Sequence, residues 1–149
     1  MDADDANAVI SGSGFSPCRI TMEDGSVRIR DSEGDFEVGV EDADIELYRV
    51  SARSLELESE DGDIELDLLG QPALEAEIRT ADGDVEIVLE RSISVTISVD
   101  VTDGRISVDL PEAEDVREGR GWWHGSLSGG SGSMKIRTID GSVEIRQAR

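Results

Sequence analysis

The sequence predicts an all-β fold, and three observations support this. The frame apolar-x-apolar-x-x-x-Asp-Gly-x-apolar-x-apolar occurs five times, with its glycines at Gly25, Gly62, Gly83, Gly104 and Gly141. Alternation of apolar and polar residues is typical of half-buried strands, and Asp-Gly between such runs is a strong turn signal. No stretch of useful length has the i, i+3, i+4 apolar spacing of an amphipathic helix.

The spacing of the copies indicates how they pack. Gly62, Gly83 and Gly104 follow one another at steps of 21 residues, and a step of 37 residues flanks this group on each side. We call the shorter spacing the repeat step. Two strands of about six residues and two short turns fill it, so we predict a short β-solenoid whose coils stack in parallel. An antiparallel β-sandwich of hairpins remains the alternative. If Asp61-Gly62 formed a hairpin loop, Leu57 would face Leu66 and the apolar side chains would again share one face.

The length of 149 residues predicts one folded domain. Residues 1–17 are acidic and then rich in Gly and Ser, which predicts a loose lead-in. Residues 18–149 contain all the repeats and form the predicted β domain. Within it, residues 117–133 are rich in glycine, and we predict that they form a loop.

The net charge of −21 comes from 35 acidic and 14 basic residues. Such a charge disfavours binding to nucleic acid and adsorption to an anionic membrane. Lys135 is the only lysine among the basic residues. An acidic, lysine-poor surface is typical of proteins from a high-salt cytoplasm, where cations screen self-repulsion. A GC-rich genome is the alternative explanation for the preference for arginine.

The single cysteine and the lack of long apolar segments indicate the redox chemistry and the location of the protein. Cys18 is the only cysteine, which excludes an internal disulfide and a cysteine-based metal cluster. No segment has the length and apolarity of a membrane span, and the acidic N-terminal sequence is unlike a signal peptide. We therefore expect a cytoplasmic protein without membrane insertion. If the sequence is part of a longer chain, a cell-surface or envelope location is expected instead.

Two of the repeats carry a resemblance to a known family. They read Glu-Ile-Arg-Thr-Ala-Asp-Gly-Asp-Val-Glu-Ile (77–87) and Lys-Ile-Arg-Thr-Ile-Asp-Gly-Ser-Val-Glu-Ile (135–145). This pattern resembles the repeated Thr-x-x-Gly-(Asp/Ser)-(Ile/Val)-x-(Ile/Val) of the bacterial and archaeal putative adhesin domains. The Gly-rich stretch 125–133 is similar to the one that precedes that family's last repeat. The resemblance implies a right-handed β-solenoid whose biochemical role is undefined.

Aspartates beside the turn glycines are the candidate metal ligands. Asp61 and Asp63 flank Gly62, and Asp82 and Asp84 flank Gly83. In a solenoid these turns would stack into an acidic ladder, and clustered carboxylates suit Ca²⁺. Turn formation and a solvated acidic surface explain the same residues without a metal, and the nonapeptide signature of Ca²⁺-binding solenoids is absent. The favoured prediction is therefore no metal and no cofactor.

The other candidate site is Trp122-Trp123-His124, which lies between Gly-rich and charged residues. Exposed indoles could stack on a sugar or anchor a protein partner, but such a pair more often caps the end of a repeat stack. No nucleophile elbow, phosphate loop or dinucleotide motif is present, so we expect no enzyme activity.

Taken together, these features predict a non-catalytic β-repeat scaffold or binding module with an unidentified protein or glycan partner. Association of copies through the edges of the solenoid is a further expectation. The alternative is a Ca²⁺-dependent polysaccharide-binding or lyase-like protein on the same fold.

Overall fold

The computed structural model describes residues 2–70 and 74–148, which form one ten-stranded β-sheet without a helix. None of these residues therefore belongs to an apolar helix that could span a membrane. Met1 and Arg149, the outer limits of the two predicted segments, lie outside the described residues. The strands are β1 (Asp2–Asp61), β2 (Ile64–Leu68), β3 (Glu75–Asp82), β4 (Val85–Leu89), β5 (Val95–Asp103), β6 (Ile106–Asp109), β7 (Glu114–Gly119), β8 (Trp122–Leu127), β9 (Gly132–Asp140) and β10 (Val143–Gln147).

Strand β1 is 60 residues long and winds back on itself. If straight, it would extend roughly 200 Å. Instead, residues 18 or 19 positions apart meet: Arg28 Nε lies 2.8 Å from Glu46 Oε2, and Ser26 Oγ donates to Asn7 Oδ1 at 2.9 Å. Bends occur where the backbone is left-handed, as at Asp31 with a φ of 46°. Residues 2–61 therefore already form coils.

The segment predicted to be a loose lead-in belongs to this strand. Residues 2–17 are extended, and the hydrogen bond from Ser26 links them to the next coil. The acidic and Gly/Ser-rich composition suggested a lack of structure, but backbone pairing in a sheet does not require apolar side chains. The described backbone of residues 2–17 is therefore strand, and the looseness of the segment stays a prediction.

Successive coils stack in parallel, as the solenoid prediction requires. Ile45 pairs with Ile64 across β1 and β2, and Ile64 pairs with Val85 across β2 and β4. Ile64 and Val85 are one repeat step apart in sequence, and the separation of Ile45 and Ile64 is slightly smaller. Leu57 pairs with Ile78 on the next coil and does not face Leu66. The prediction of an all-β solenoid is confirmed, and the hairpin sandwich is wrong, because each Asp-Gly turn is a corner between two strands of one coil.

The coil interior is filled by rows of aliphatic side chains. One row runs through β1, β3, β9 and β5 and consists of Leu57, Ile78, Ile136 and Val99, each at most 1% exposed. Stacking one such side chain per coil buries a continuous core that no single coil could form. This arrangement explains why aliphatic residues suffice with only 3% aromatic content.

The last repeat does not follow the order of the chain. Strand β9 lies between β3 and β5, and β10 lies between β4 and β6. All four of these pairings are parallel. Residues 132–147 thus occupy a layer inside the stack, between two coils that are consecutive in sequence.

The predicted Gly-rich loop at 117–133 is largely strand, which corrects that expectation. Strand β8 pairs antiparallel with β5 on one side and with β7 on the other. The physical reason is an alternation within the segment: Trp123, Gly125 and Leu127 are buried, whereas Trp122, His124 and Ser126 are not. The high glycine content predicted a loop, because it obscured the alternation of buried and accessible residues that is typical of a strand.

Candidate functional site

The Asp-Gly corners form a column along one side of the stack. A Cβ added at Gly83 would lie 2.1 Å from the carbonyl oxygen of Gly62, and one added at Gly141 would lie 2.0 Å from that of Gly83. Gly104 is similarly close to Gly141. The coils approach so closely here that only glycine fits at these positions. This contact, in addition to turn conformation, explains why the frame requires glycine.

The aspartates before these glycines form the predicted acidic ladder. Asp61 pairs in register with Asp82, Asp82 with Asp140, and Asp140 with Asp103. All four are exposed. Neighbouring strands are about 4.8 Å apart, so each carboxylate has a like charge on the adjacent coil. The ladder concentrates negative charge on the outside of the corner.

The aspartates after the turn residue, which is Ala43 in one copy and glycine in the others, have a different role. Asp44 Oδ1 accepts the backbone N–H of Asp63 at 2.9 Å, and Asp63 Oδ1 accepts that of Asp84 at 2.9 Å. Asp84 Oδ1 in turn accepts the N–H of Ser142 at 2.8 Å. Each carboxylate therefore holds the next coil by a charge-assisted hydrogen bond.

The four calcium candidates are thus divided between two roles. Asp63 and Asp84 bind backbone N–H groups, whereas Asp61 and Asp82 face solvent. Within residues 2–70 and 74–148, no group of three or more His, Cys, Asp or Glu side chains could hold a metal ion. Asp63 and Asp84 therefore stabilise the stacking of the coils through their hydrogen bonds. Asp61 and Asp82 belong to the acidic ladder and make no such bond within the part of the chain that the structure describes.

The hydroxyl of the Thr-x-x-Gly pattern lies inside the corner. Ser59, Thr80 and Thr138 occupy this position and are at most 4% exposed. Ser59 Oγ donates to the carbonyl oxygen of Ala43 at 3.4 Å, across the gap between coils. The hydroxyls of Thr80 and Thr138 are buried without a hydrogen-bond partner among the described residues. These side chains face the glycine column and belong to the packing of the turn.

The two tryptophans point in opposite directions. Trp123 is 5% exposed and pairs with Val99, so it completes the inward row that begins at Leu57. Its ring occupies the space that a side chain at Gly125 would need. Trp122 is 42% exposed, and its indole lies against the backbone of Gly119. Trp123 is therefore part of the core, and Trp122 is the one whose ring is accessible.

His124 shares the outer face with Trp122. Its Nδ1 is 3.1 Å from Ser98 Oγ on β5, which orients the ring. One row of this face runs Arg79, Arg137, Asp100 and Trp122 across β3, β9, β5 and β8. Sequence reasoning missed Arg137 and Asp100 as neighbours of Trp122, because β9 comes from outside the expected order of coils.

A groove of about 540 Å³ lies along this face, next to the row that ends at Trp122. Its charged groups are two guanidinium groups and one carboxylate, and it also has the exposed side chains of Thr102 and Ile139. We call this surface, together with Trp122 and His124, the tryptophan face. The groove is lined by Arg79, Thr80, Asp100, Thr102, Arg137, Thr138 and Ile139.

A smaller cleft of about 190 Å³ lies on another face, among Glu46, Glu65 and Glu86. It also contains Asp67, and burial raises the pKa of that carboxyl. The positive charges of Arg49 and Arg146 lower the pKa of Asp67, and the negative charge of Glu90 raises it further. Asp67 therefore holds its proton more readily than an aspartate with an ordinary pKa does.

Two of three comparisons find known proteins or families to which the chain is similar. The model of the Toastrack DUF4097 family matches residues 1–146. The chain is similar to a solved structure described as a putative cell adhesion protein from Clostridium sporogenes ATCC 15579, with 10% identity and a TM-score of 0.41. That match covers 99% of this chain and 92% of the other. Comparison with curated proteins found no match. Since the family model extends over nearly the whole chain, the protein belongs to the Toastrack DUF4097 family, a family of domains of unknown function.

Proposed function

We propose that this protein is a non-catalytic binding module in which the solenoid presents the tryptophan face to a partner. The main support for this proposal is the exposure of Trp122: this residue is 42% exposed, whereas Trp123 beside it is buried. Tryptophan is enriched among the residues that dominate binding energy, because it brings a large apolar area together with a polar N–H.

The position of Trp122 is preorganised. Strand β8 is paired on both sides, and the indole is seated on Gly119 of the neighbouring strand. A side chain that is already held in place loses little conformational entropy on binding. This support favours a binding role for the exposed ring.

A glycan is the partner that fits the surroundings best. An indole is a flat surface on which a sugar ring can stack, and the sugar hydroxyls need donors and acceptors beside it. Asp100 lies next to Trp122 in its row and Arg137 next to Asp100, and His124 is two residues along β8. A protein partner would use the same ring as an anchor.

Glycan-array binding of wild type and Trp122→Ala tests this proposal. We expect Trp122→Ala to lose the wild-type binding profile while its melting temperature stays close to that of wild type. Tyr48→Ala is the matched control, because Tyr48 is another exposed aromatic, at 52%, and lies away from the tryptophan face. An unchanged profile in folded Trp122→Ala would contradict the proposal, as would equal losses in both variants.

We further propose that the module is adapted to high salt. The net charge of −21 and the single lysine support this, as do two rows in which like charges stack along the coils. One is the aspartate ladder, and the other consists of Glu46, Glu65, Glu86 and Glu144 in register. Concentrated cations would screen the repulsion within both rows.

A further inference from the structure

The two coils on either side of the last repeat match each other in register. Glu75 and Thr96 both pair with Ser133, and they are one repeat step apart. Val85 and Ile106 both pair with Val143, and the same step separates them. Ser54 and Glu75, on directly adjacent coils, are also one repeat step apart. The inserted layer therefore divides two coils that have the register of direct neighbours.

The gap between these coils, which we call the slot, has specific requirements. Its occupant must form parallel pairs on both sides of β9 and of β10. It must also supply apolar side chains at fixed positions: Met134, Ile136 and Ile145 are 0% exposed. At the corner it must carry glycine, because a Cβ at Gly141 would collide with Gly83. These requirements describe residues 132–147 of this chain.

The covalent connection to the slot is a short turn. Residues 128–131 join β8 to β9, and Ser128, Gly129 and Gly130 all have left-handed backbones, with φ values of 51°, 87° and 64°. A Cβ at Gly130 would lie 2.4 Å from Thr96 Oγ1. The closed turn thus depends on glycine, whereas an extended linker in its place would not.

We propose that residues 132–147 exchange between two copies of this chain, so that each copy fills the slot of the other. All pairs within the slot are the same in the monomer and in the exchanged dimer, and only residues 128–131 change conformation. Such exchange of an identical element is a low-cost route to a dimer, favoured when the connecting turn is short or strained. The partner is therefore a second copy of this chain, and in the exchanged dimer each copy supplies Arg137, Thr138 and Ile139 to the tryptophan face of the other.

Disulfide trapping tests the exchange in the full-length chain. In a Cys18→Ser background, one protein carries Glu86→Cys and a second carries Glu144→Cys. These positions pair in register on β4 and β10, and neighbouring strands bring Cα atoms within the range that a disulfide spans. We expect a covalent heterodimer when the two proteins are unfolded together, refolded together at high concentration and oxidised.

The matched control uses Glu65→Cys and Glu86→Cys in separate chains. They also pair in register, on β2 and β4, but neither lies in residues 132–147. Exchange leaves both positions within their own copies, so this mixture is expected to give no heterodimer above background. Equal yields from the two mixtures would overturn the proposal.

A second variant tests the turn. Gly130→Ala should strain the closed turn and raise the fraction of cross-linked heterodimer between the Glu86→Cys and Glu144→Cys proteins. Gly39→Ala is its control, because a Cβ there meets nothing within 4 Å. A fraction unchanged by Gly130→Ala would contradict the assignment of residues 128–131 as the hinge.

Discussion

At the residue scale, each Asp-Gly corner assigns different roles to the aspartates that flank its glycine. Asp84 binds the N–H of Ser142 on the next coil, whereas the carboxylate of Asp82 faces solvent between Asp61 and Asp140. The two residues have the same chemistry and lie two positions apart. Their comparison therefore separates a hydrogen-bonding role from a simple contribution to surface charge.

We predict that Asp84→Ala lowers the free energy of unfolding by about 1.5 kcal/mol, the lower end of the range for a hydrogen bond to a charged group, because Asp84 is exposed. Asp82→Ala should change it by less than about 0.5 kcal/mol, because its loss also relieves repulsion from Asp61 and Asp140. Urea unfolding of both variants at low salt measures this difference. If Asp82→Ala were the more damaging change, the division of roles would be wrong.

Much at this scale was accessible from the sequence. The repeated Asp-Gly frame predicted the stacked corners and the acidic ladder, because turn chemistry is local. The orientation of Trp122 and Trp123 was not predicted, although adjacent residues of a strand point to opposite faces. Glycines on both sides of the pair obscured the strand. Proximity of Arg137 to Trp122 depends on long-range pairing and has no local signal.

At the scale of elements, the glycine column determines how closely the coils stack. Gly83 has its α-carbon hydrogen directed at the carbonyl oxygen of Gly62, where any side chain would collide. A methyl group must therefore separate two coils or distort the corner. The same substitution at Gly39, where the space is open, imposes neither cost.

We predict that Gly83→Ala lowers the free energy of unfolding by about 2 kcal/mol or more, through overpacking and the φ of 150° at this position. Gly39→Ala should stay within about 0.5 kcal/mol of wild type. Chemical denaturation monitored by tryptophan fluorescence provides both values. Equal effects at the two positions would show that the close approach is not what requires glycine.

The sequence could not distinguish coils from hairpins at this scale by the apolar pattern alone. Both folds place Leu57 and Leu66 in the interior, because an inward-facing residue remains inward whether the turn reverses the strand or rounds a corner. Only the partner differs, and Leu57 pairs with Ile78 from the next repeat. The constant repeat step favoured the coil, since hairpins have no need for a fixed spacing.

At the scale of the whole molecule, charge is the dominant property. We predict that raising KCl from about 0.1 M to about 2 M increases the melting temperature by about 5 °C or more, the shift that roughly 2 kcal/mol produces in a domain of this size. The reason is that the screening length falls from about 10 Å to below about 3 Å, which is less than the spacing of stacked carboxylates.

Glu65→Gln provides the control for this effect. Glu65 lies between Glu46 and Glu86 in the glutamate row, so neutralising it should reduce the dependence of the melting temperature on KCl. A parallel melt with micromolar CaCl₂ or EDTA separates screening from specific cation binding. An identical salt dependence in wild type and Glu65→Gln would argue against repulsion within the row.

The order of the coils was beyond sequence analysis for a physical reason. Every repeat has the same frame, so each can pair in register with several others, and local preferences do not rank them. Nothing in Val143 or Ile145 specifies that they pair with both β4 and β6. The constant repeat step predicted sequential stacking, and the last repeat departs from it.

The intercalated repeat also has a consequence for biosynthesis. Residues 132–147 leave the ribosome after the coils on both sides of them, yet they form a layer inside the finished stack. Until residues 132–147 have emerged, β3 and β5 can meet, and their matching register allows them to pair directly. That pairing would have to reopen before residues 132–147 could enter the stack. Premature termination near residue 131 removes a middle layer, and the shortened product would still carry both flanking coils.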